Sequence, residues 1–196
     1  MLHEGGHAIH SFLAHPLELS GFKEYPMEIA EVASMAMELM SMDEWETFFT
    51  DAADLKRAKA HQLERVITIF PWIAVIDKFQ HWIYEHPVHT HEERTATWNE
   101  ILKEFQDDVI DYSGLEAYRS NGWQRQLHLF EVPFYYIEYG IAQLGAIGMW
   151  MQYKENKQLA MDNYCNALAL GGTKTLPQLF ETAGLKFDFN PDKIKE

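Results

Sequence analysis

Apolar positions recur along this chain at helical rather than strand spacing. Residues 1 to about 15 read as one helix, followed by a loop punctuated by Ser20-Gly21 and Tyr25-Pro26. Residues 27–42 read as a second, with Ile29, Val32, Met35, Ala36 and Leu39 on one face, close to a period of 3.6. The pattern continues over 43–49 and 51–70, where Leu55, Leu63, Val66, Ile67 and Phe70 form the expected buried stripe. Pro71 is expected to break or kink that helix, since proline removes one helical hydrogen bond. A helix then runs to about Glu85 and ends at His86-Pro87. Residues 90–112 form the next helical stretch, opened by Thr90 and Glu93 as a capping box and stopped by Ser113-Gly114. Residues 115–132 carry no readable period.

Pro133 is expected to open a long helix reaching about Lys154. Residues 156–170 form another, ended by Gly171-Gly172, before a short helix over 175–183 and an irregular charged tail. The chain has no alternating run, internal repeat or low-complexity linker. The predicted fold is therefore all-α and multi-helical, a single helical domain over residues 1–196.

Composition narrows the function classes. At 196 residues the chain can bury a proper core. Its 47% apolar content sets it apart from disordered sequences. The formal net charge of −14 argues against nucleic acid and anionic membranes as partners, because phosphates call for clustered Lys and Arg. The most apolar stretch, residues 134–151, contains Glu138 and several glycines and is too polar for a membrane span. Cys165 is the only cysteine, so no disulfide forms within the chain; the His-rich opening does not read as a signal peptide, and the expected setting is the cytoplasm.

Candidate chemistry begins at once. His3-Glu4-Gly5-Gly6-His7 fits H-E-x-x-H. Residues four apart on a helix lie one turn apart on one face, so two imidazoles there can reach one tetrahedral Zn²⁺. Glu4 projects beside them and is the candidate general base. Five residues alone also fit two surface histidines on a helix. A catalytic zinc takes a third protein ligand. The spacing with Gly at 10 and His at 13 is excluded, because the chain has His10 and Leu13. On the second helix Glu28 and Glu31 are both candidates. Glu31, among Ala30, Val32 and Ala33, is preferred, since a carboxylate among apolar neighbours needs a partner. Glu28, near the helix start, simply suits the dipole. Glu38, seven residues after Glu31, either orients a metal-bound histidine or is solvated.

With these residues in view, the chain resembles the thimet oligopeptidase and oligoendopeptidase F family of zinc metallopeptidases, most closely the oligoendopeptidase F branch. The likeness rests on four segments in order: 3–10 (HEGGHAIH), 29–38 (IAEVASMAME), His128 with 133–139 (PFYYIEY), and 176–189 (LPQLFETAGLKFDF). It covers the family's C-terminal portion, so the domain is expected to be truncated at its N-terminus. The resemblance implies His3, His7 and Glu31 as ligands of one Zn²⁺. It further implies that His128, Tyr136 and Tyr139 contact the substrate backbone or the developing oxyanion, and that the substrates are short unstructured peptides cut internally. From spacing alone, Tyr135, Tyr136 and Tyr139 read as core packing and His128 as a loop histidine. His10 is placed near the site but outside the ligand set, and His81, His86, His89 and His91 in a solvated loop. Two other readings stay open: a catalytically incomplete zinc-binding fragment, and a helical interaction module without metal. The oligomeric state has no signature in the sequence.

Overall fold

The computed structural model describes residues 1–106 and 109–190, and among these described residues the helix-forming stretches of the sequence become nine α-helices. They are α1 (Leu2–Ala14), α2 (Met27–Met40), α3 (Ala52–Glu85), α4 (His91–Phe105), α5 (Glu116–Ser120), α6 (His128–Glu131), α7 (Tyr136–Glu155), α8 (Lys157–Ala169) and α9 (Leu176–Thr182). Short 3₁₀ turns occupy Ser20–Lys23, Ser41–Thr47 and Gly122–Arg125. No strand occurs among the described residues, and the fold is all-α. No helix among them is long and apolar enough to cross a membrane. Two compact units form: Met1–Gln62 with the described residues from Ile141, and Leu63–Gly140.

In the first unit α2 is the central element. Ile29, Val32, Met35, Ala36 and Leu39, its predicted stripe, are all buried. Helix α1 packs along α2 and also meets α8, which meets α9. The α1–α2 approach is unusually close at Gly6. A Cβ there would stand 2.4 Å from the Ala33 carbonyl oxygen and 2.5 Å from the Ser34 Cα. Only glycine permits that separation. Tyr164 of α8 donates its hydroxyl to the same Ala33 carbonyl at 2.7 Å. The Gly171-Gly172 turn ends α8 with Gly171 at φ 51°. Gly172 N–H donates to Phe22 O at 2.8 Å, tying down the loop between α1 and α2.

The second unit gathers aromatic residues. Ile73, Ile76 and Phe79 of α3 pack with Trp98 and Leu102 of α4, Trp123, and Tyr136. Phe79 and Trp98 meet edge to face with ring centroids 5.0 Å apart.

Several boundaries differ from expectation, each for a local reason. Helix α3 passes through Pro71 without a break, and Pro71 and Ile67, the residue whose carbonyl loses its donor, both lie on the exposed side. The expected stripe of α3 is shifted. Val66 is buried, but Leu63 is exposed and Ile67 is 70% exposed, and the inward face is instead Gln62, Val66, Ile73 and Ile76. Helix α4 starts at the predicted capping box, with Glu93 N–H donating to Thr90 Oγ1 at 3.1 Å. It ends at Phe105, well before Tyr112; Asp107 and Asp108 of the predicted helix lie outside the described residues. Pro133 does not open α7. Phe134 adopts φ 61° and donates its N–H to Gln80 Oε1 at 2.9 Å, so the chain turns once more before Tyr136.

Candidate metal centre

The close α1–α2 contact sets the geometry of the first cluster. His3 and His7, one turn apart on α1, present their rings edge to face with centroids 4.9 Å apart. Glu31 of α2 faces them: its Oε2 lies 3.5 Å from His3 Nε2 and 3.8 Å from His7 Nε2. One donor atom from each of the three falls within 4.8 Å of the others, the one such group among the described residues. Donors of a tetrahedral zinc with bonds near 2.0–2.1 Å stand about 3.4 Å apart, so this spacing suits a small divalent cation. Two imidazoles and a carboxylate are also a zinc donor set.

Glu31 is only 5% exposed. Ser34 donates its hydroxyl to Glu31 Oε2 at 2.9 Å, but among the described residues no Lys or Arg pairs with this carboxylate. A buried charge with a single hydroxyl donor and two imidazoles beside it is short of positive charge. Glu28, the alternative, sits half-buried in the first turn of α2 and is not part of the cluster. Glu4 is exposed on α1, one residue on from His3.

Residues around the cluster were partly missed by sequence reasoning. Glu38 Oε1 lies 3.2 Å from His3 Nδ1, and Gln62 of α3 donates to Glu38 Oε2 at 2.9 Å. Ser34 was legible as an i+3 neighbour of Glu31, whereas Gln62, 24 residues from Glu38, has no local signal. His10 is fully buried, and its ring stacks on Tyr25 with centroids 3.4 Å apart. Burial, aided by neighbouring His7, pushes its pKa from 6.5 down to about 4, so the ring stays neutral.

The second unit brings its own predicted residues together. His128 Nε2 and Tyr139 Oη are 3.2 Å apart, and Gln126 Nε2 lies 2.7 Å from His128 Nδ1. Tyr136 packs edge-on to His128 with centroids 5.1 Å apart, and Tyr135 lies 5.6 Å from it. Burial raises the Tyr136 pKa, against the opposing pull of hydrogen bonds with Trp72 and Gln126. Its hydroxyl therefore stays a proton donor. Elsewhere in this unit His81, His86 and His91 are exposed; His89 is half-buried, against Trp82, and accepts from Arg94 Nε at 2.7 Å.

Two imidazoles from one helix and a carboxylate from the next are thus brought together in an all-α chain. The sequence profile of peptidase family M3 matches residues 1–195, and the chain belongs to that family. It is 28% identical over 184 residues to an oligoendopeptidase F homolog from Borreliella burgdorferi, covering 89% of this chain and 30% of that protein. Among solved structures it is similar to PZ peptidase A with an inhibitor (TM-score 0.88, 31% identity, 99% of this chain and 34% of that one). It is also similar to a candidate oligoendopeptidase F from Bacillus anthracis (TM-score 0.80, 28% identity, 99% and 31%). The chain thus spans about a third of the length of the relatives it matches.

Proposed function

We propose that this chain carries the zinc-binding catalytic portion of an endopeptidase that hydrolyses internal bonds of short, unstructured peptides. The observation that carries the reading is the convergence of His3, His7 and buried Glu31 on one point, with no Lys or Arg beside the carboxylate among the described residues. One zinc held by these three would supply a Lewis acid that polarises the scissile carbonyl and makes water acidic. The chain's own groups do the rest. Glu4, exposed on the ligand helix one residue on from His3, takes the proton of the attacking water and passes it to the leaving amine. Tyr139 and Tyr136 offer hydroxyl protons, and His128 a ring proton, to the developing oxyanion or to the peptide backbone, the roles the family resemblance assigns them. The single cysteine suits a reducing compartment, the cytoplasm.

The short span relative to its relatives favours one second reading, a portion that binds zinc without turning over alone. A quenched fluorescent peptide, with zinc content verified, separates these. The wild-type chain is expected to cut it. Glu4→Gln is expected to hold zinc normally and lose roughly 10²-fold or more in kcat, and Tyr139→Phe to hold zinc and lose rate. Near-normal turnover in Glu4→Gln overturns the mechanism. Zinc binding without cleavage by the wild type points to the second reading, and no zinc at all to a helical interaction module.

A further inference from the structure

Glu38 and Gln62 have no part in the proposed chemistry, yet their geometry is specific. Glu38 lies two turns beyond Glu31 on the same face of α2, which brings it to the outer ring nitrogen of His3. Both of its oxygens are engaged: Oε1 is 3.2 Å from His3 Nδ1, and Oε2 accepts from Gln62 Nε2 at 2.9 Å. Gln62 is itself only 8% exposed, an amide turned inward on α3 where an apolar residue would be expected. Its hydrogen bond to Glu38 satisfies that buried amide.

We propose that Gln62 clamps Glu38 so that Glu38 holds the Nδ1 proton of His3 and leaves Nε2 as the ring nitrogen that binds a metal shared with Glu31 and His7; Glu31 Oε2 also faces Nε2, but at 3.5 Å against 3.2 Å for Glu38 at Nδ1. Glu38 is thereby a positioning residue for the ligand cluster, and this inference rests on the zinc reading above. A carboxylate can only accept, so the contact is favourable when Nδ1 carries the hydrogen and repulsive when Nδ1 bears its lone pair. In the neutral ring one nitrogen is the donor and the other the acceptor, so fixing Nδ1–H fixes Nε2 as the free donor to a metal. Nε2 is the His3 nitrogen that faces Glu31 Oε2, at 3.5 Å. Such outer partners orient the ring and raise its basicity, and their loss costs about 10–100-fold in metal affinity. Without the Gln62 amide the Glu38 carboxylate is free to swing about its own bonds, so the orienting effect is shared between two helices.

The test uses the full chain in two measurements. The first is zinc affinity, by competition with a chromophoric chelator, for wild type, Glu38→Ala, Glu38→Gln and Gln62→Leu. The second is the His3 tautomer in zinc-free protein, from long-range ¹H–¹⁵N NMR at a pH where the same spectra show the ring to be neutral. Wild type is expected to show His3 as the Nδ1–H form. Glu38→Ala is expected to bind zinc about 10–100-fold more weakly and to lose that preference. Glu38→Gln still accepts from Nδ1–H once Gln62 turns its amide over, and is expected to keep the tautomer and most of the affinity. Gln62→Leu is expected to fall between. Helical circular dichroism shows whether each variant is folded, and Glu38→Gln keeps the test decisive where Glu38→Ala is not. An Nε2–H tautomer in wild type, or a loss in Glu38→Gln as large as in Glu38→Ala, overturns the proposal, as does unchanged affinity and tautomer in Glu38→Ala. A wild-type chain that takes up no zinc overturns the zinc reading instead, and the tautomer comparison still decides the role of Glu38.

Discussion

Glu31 shows what a single residue can disclose. An acidic side chain between Ala30 and Val32 on an apolar helix face had to be satisfied by something, and the structure supplies Ser34 and two imidazoles. His10 is the opposite case. Its place three residues after His7 suggested proximity to the site, but nothing local announced complete burial against Tyr25, which depends on how the loop before α2 is held. That burial has a consequence for stability. Unfolded, the ring titrates near 6.5, and folded near 4. Between those values the unfolded chain binds a proton that the folded chain refuses. Stability is therefore intact above 6.5, falls as the pH drops toward about 4, and loses nothing further from this group below that. By pH 5 the contribution lost is on the order of 2 kcal/mol. Urea unfolding of the zinc-free chain at pH 7 and pH 5 checks this. His10→Phe, which keeps the ring stack without the titration, is expected to lose less on acidification. Equal losses in both proteins contradict the account.

At the scale of the elements, most helices could be read from the sequence because their signals are local. The α2 stripe, the Thr90–Glu93 box and the stop at Gly171-Gly172 all lie within a few residues of what they control. The failures came where the deciding partner is distant. The inward face of α3 runs through Gln62, whose partner is on α2, while Leu63 and Ile67 are left outside. The turn at Phe134 depends on Gln80, 54 residues away. Gly6 carries the sharpest prediction at this scale. Its missing Cβ lets α1 and α2 touch, with the Ala33 and Ser34 backbone unable to yield. Gly6→Ala is expected to lower stability by about 3 kcal/mol or more and to weaken zinc binding, because it pushes Glu31 away from the histidines. A methyl at neighbouring Gly5 meets nothing within 4 Å. Gly5→Ala is expected to be neutral or stabilising by about 0.5–1 kcal/mol. Thermal melts of the two variants decide this, and equal effects contradict it.

Taken whole, the chain carries apolar side chains that its own packing does not cover. Phe12 is 81% exposed and Phe48 61%. Exposed aromatics of this kind promote association. Sedimentation of the chain at rising concentration is expected to show growing mass, reduced by Phe12→Ser together with Phe48→Ser; a monomer at every concentration contradicts this. The all-α class and the family were both accessible from the sequence, the first through period and the second through four ordered segments. The division into two units was not, because α3 and α7 each carry an unbroken helical pattern across the boundaries after Gln62 and Gly140.

The central claim, that His3, His7 and Glu31 hold one zinc, is tested most directly by titrating zinc into the wild-type chain, Glu31→Ala and Glu28→Ala against a competing chelator. The account predicts one zinc per chain in wild type and Glu28→Ala, and loss of tight binding in Glu31→Ala. Full occupancy in Glu31→Ala, or its loss in Glu28→Ala, would contradict it.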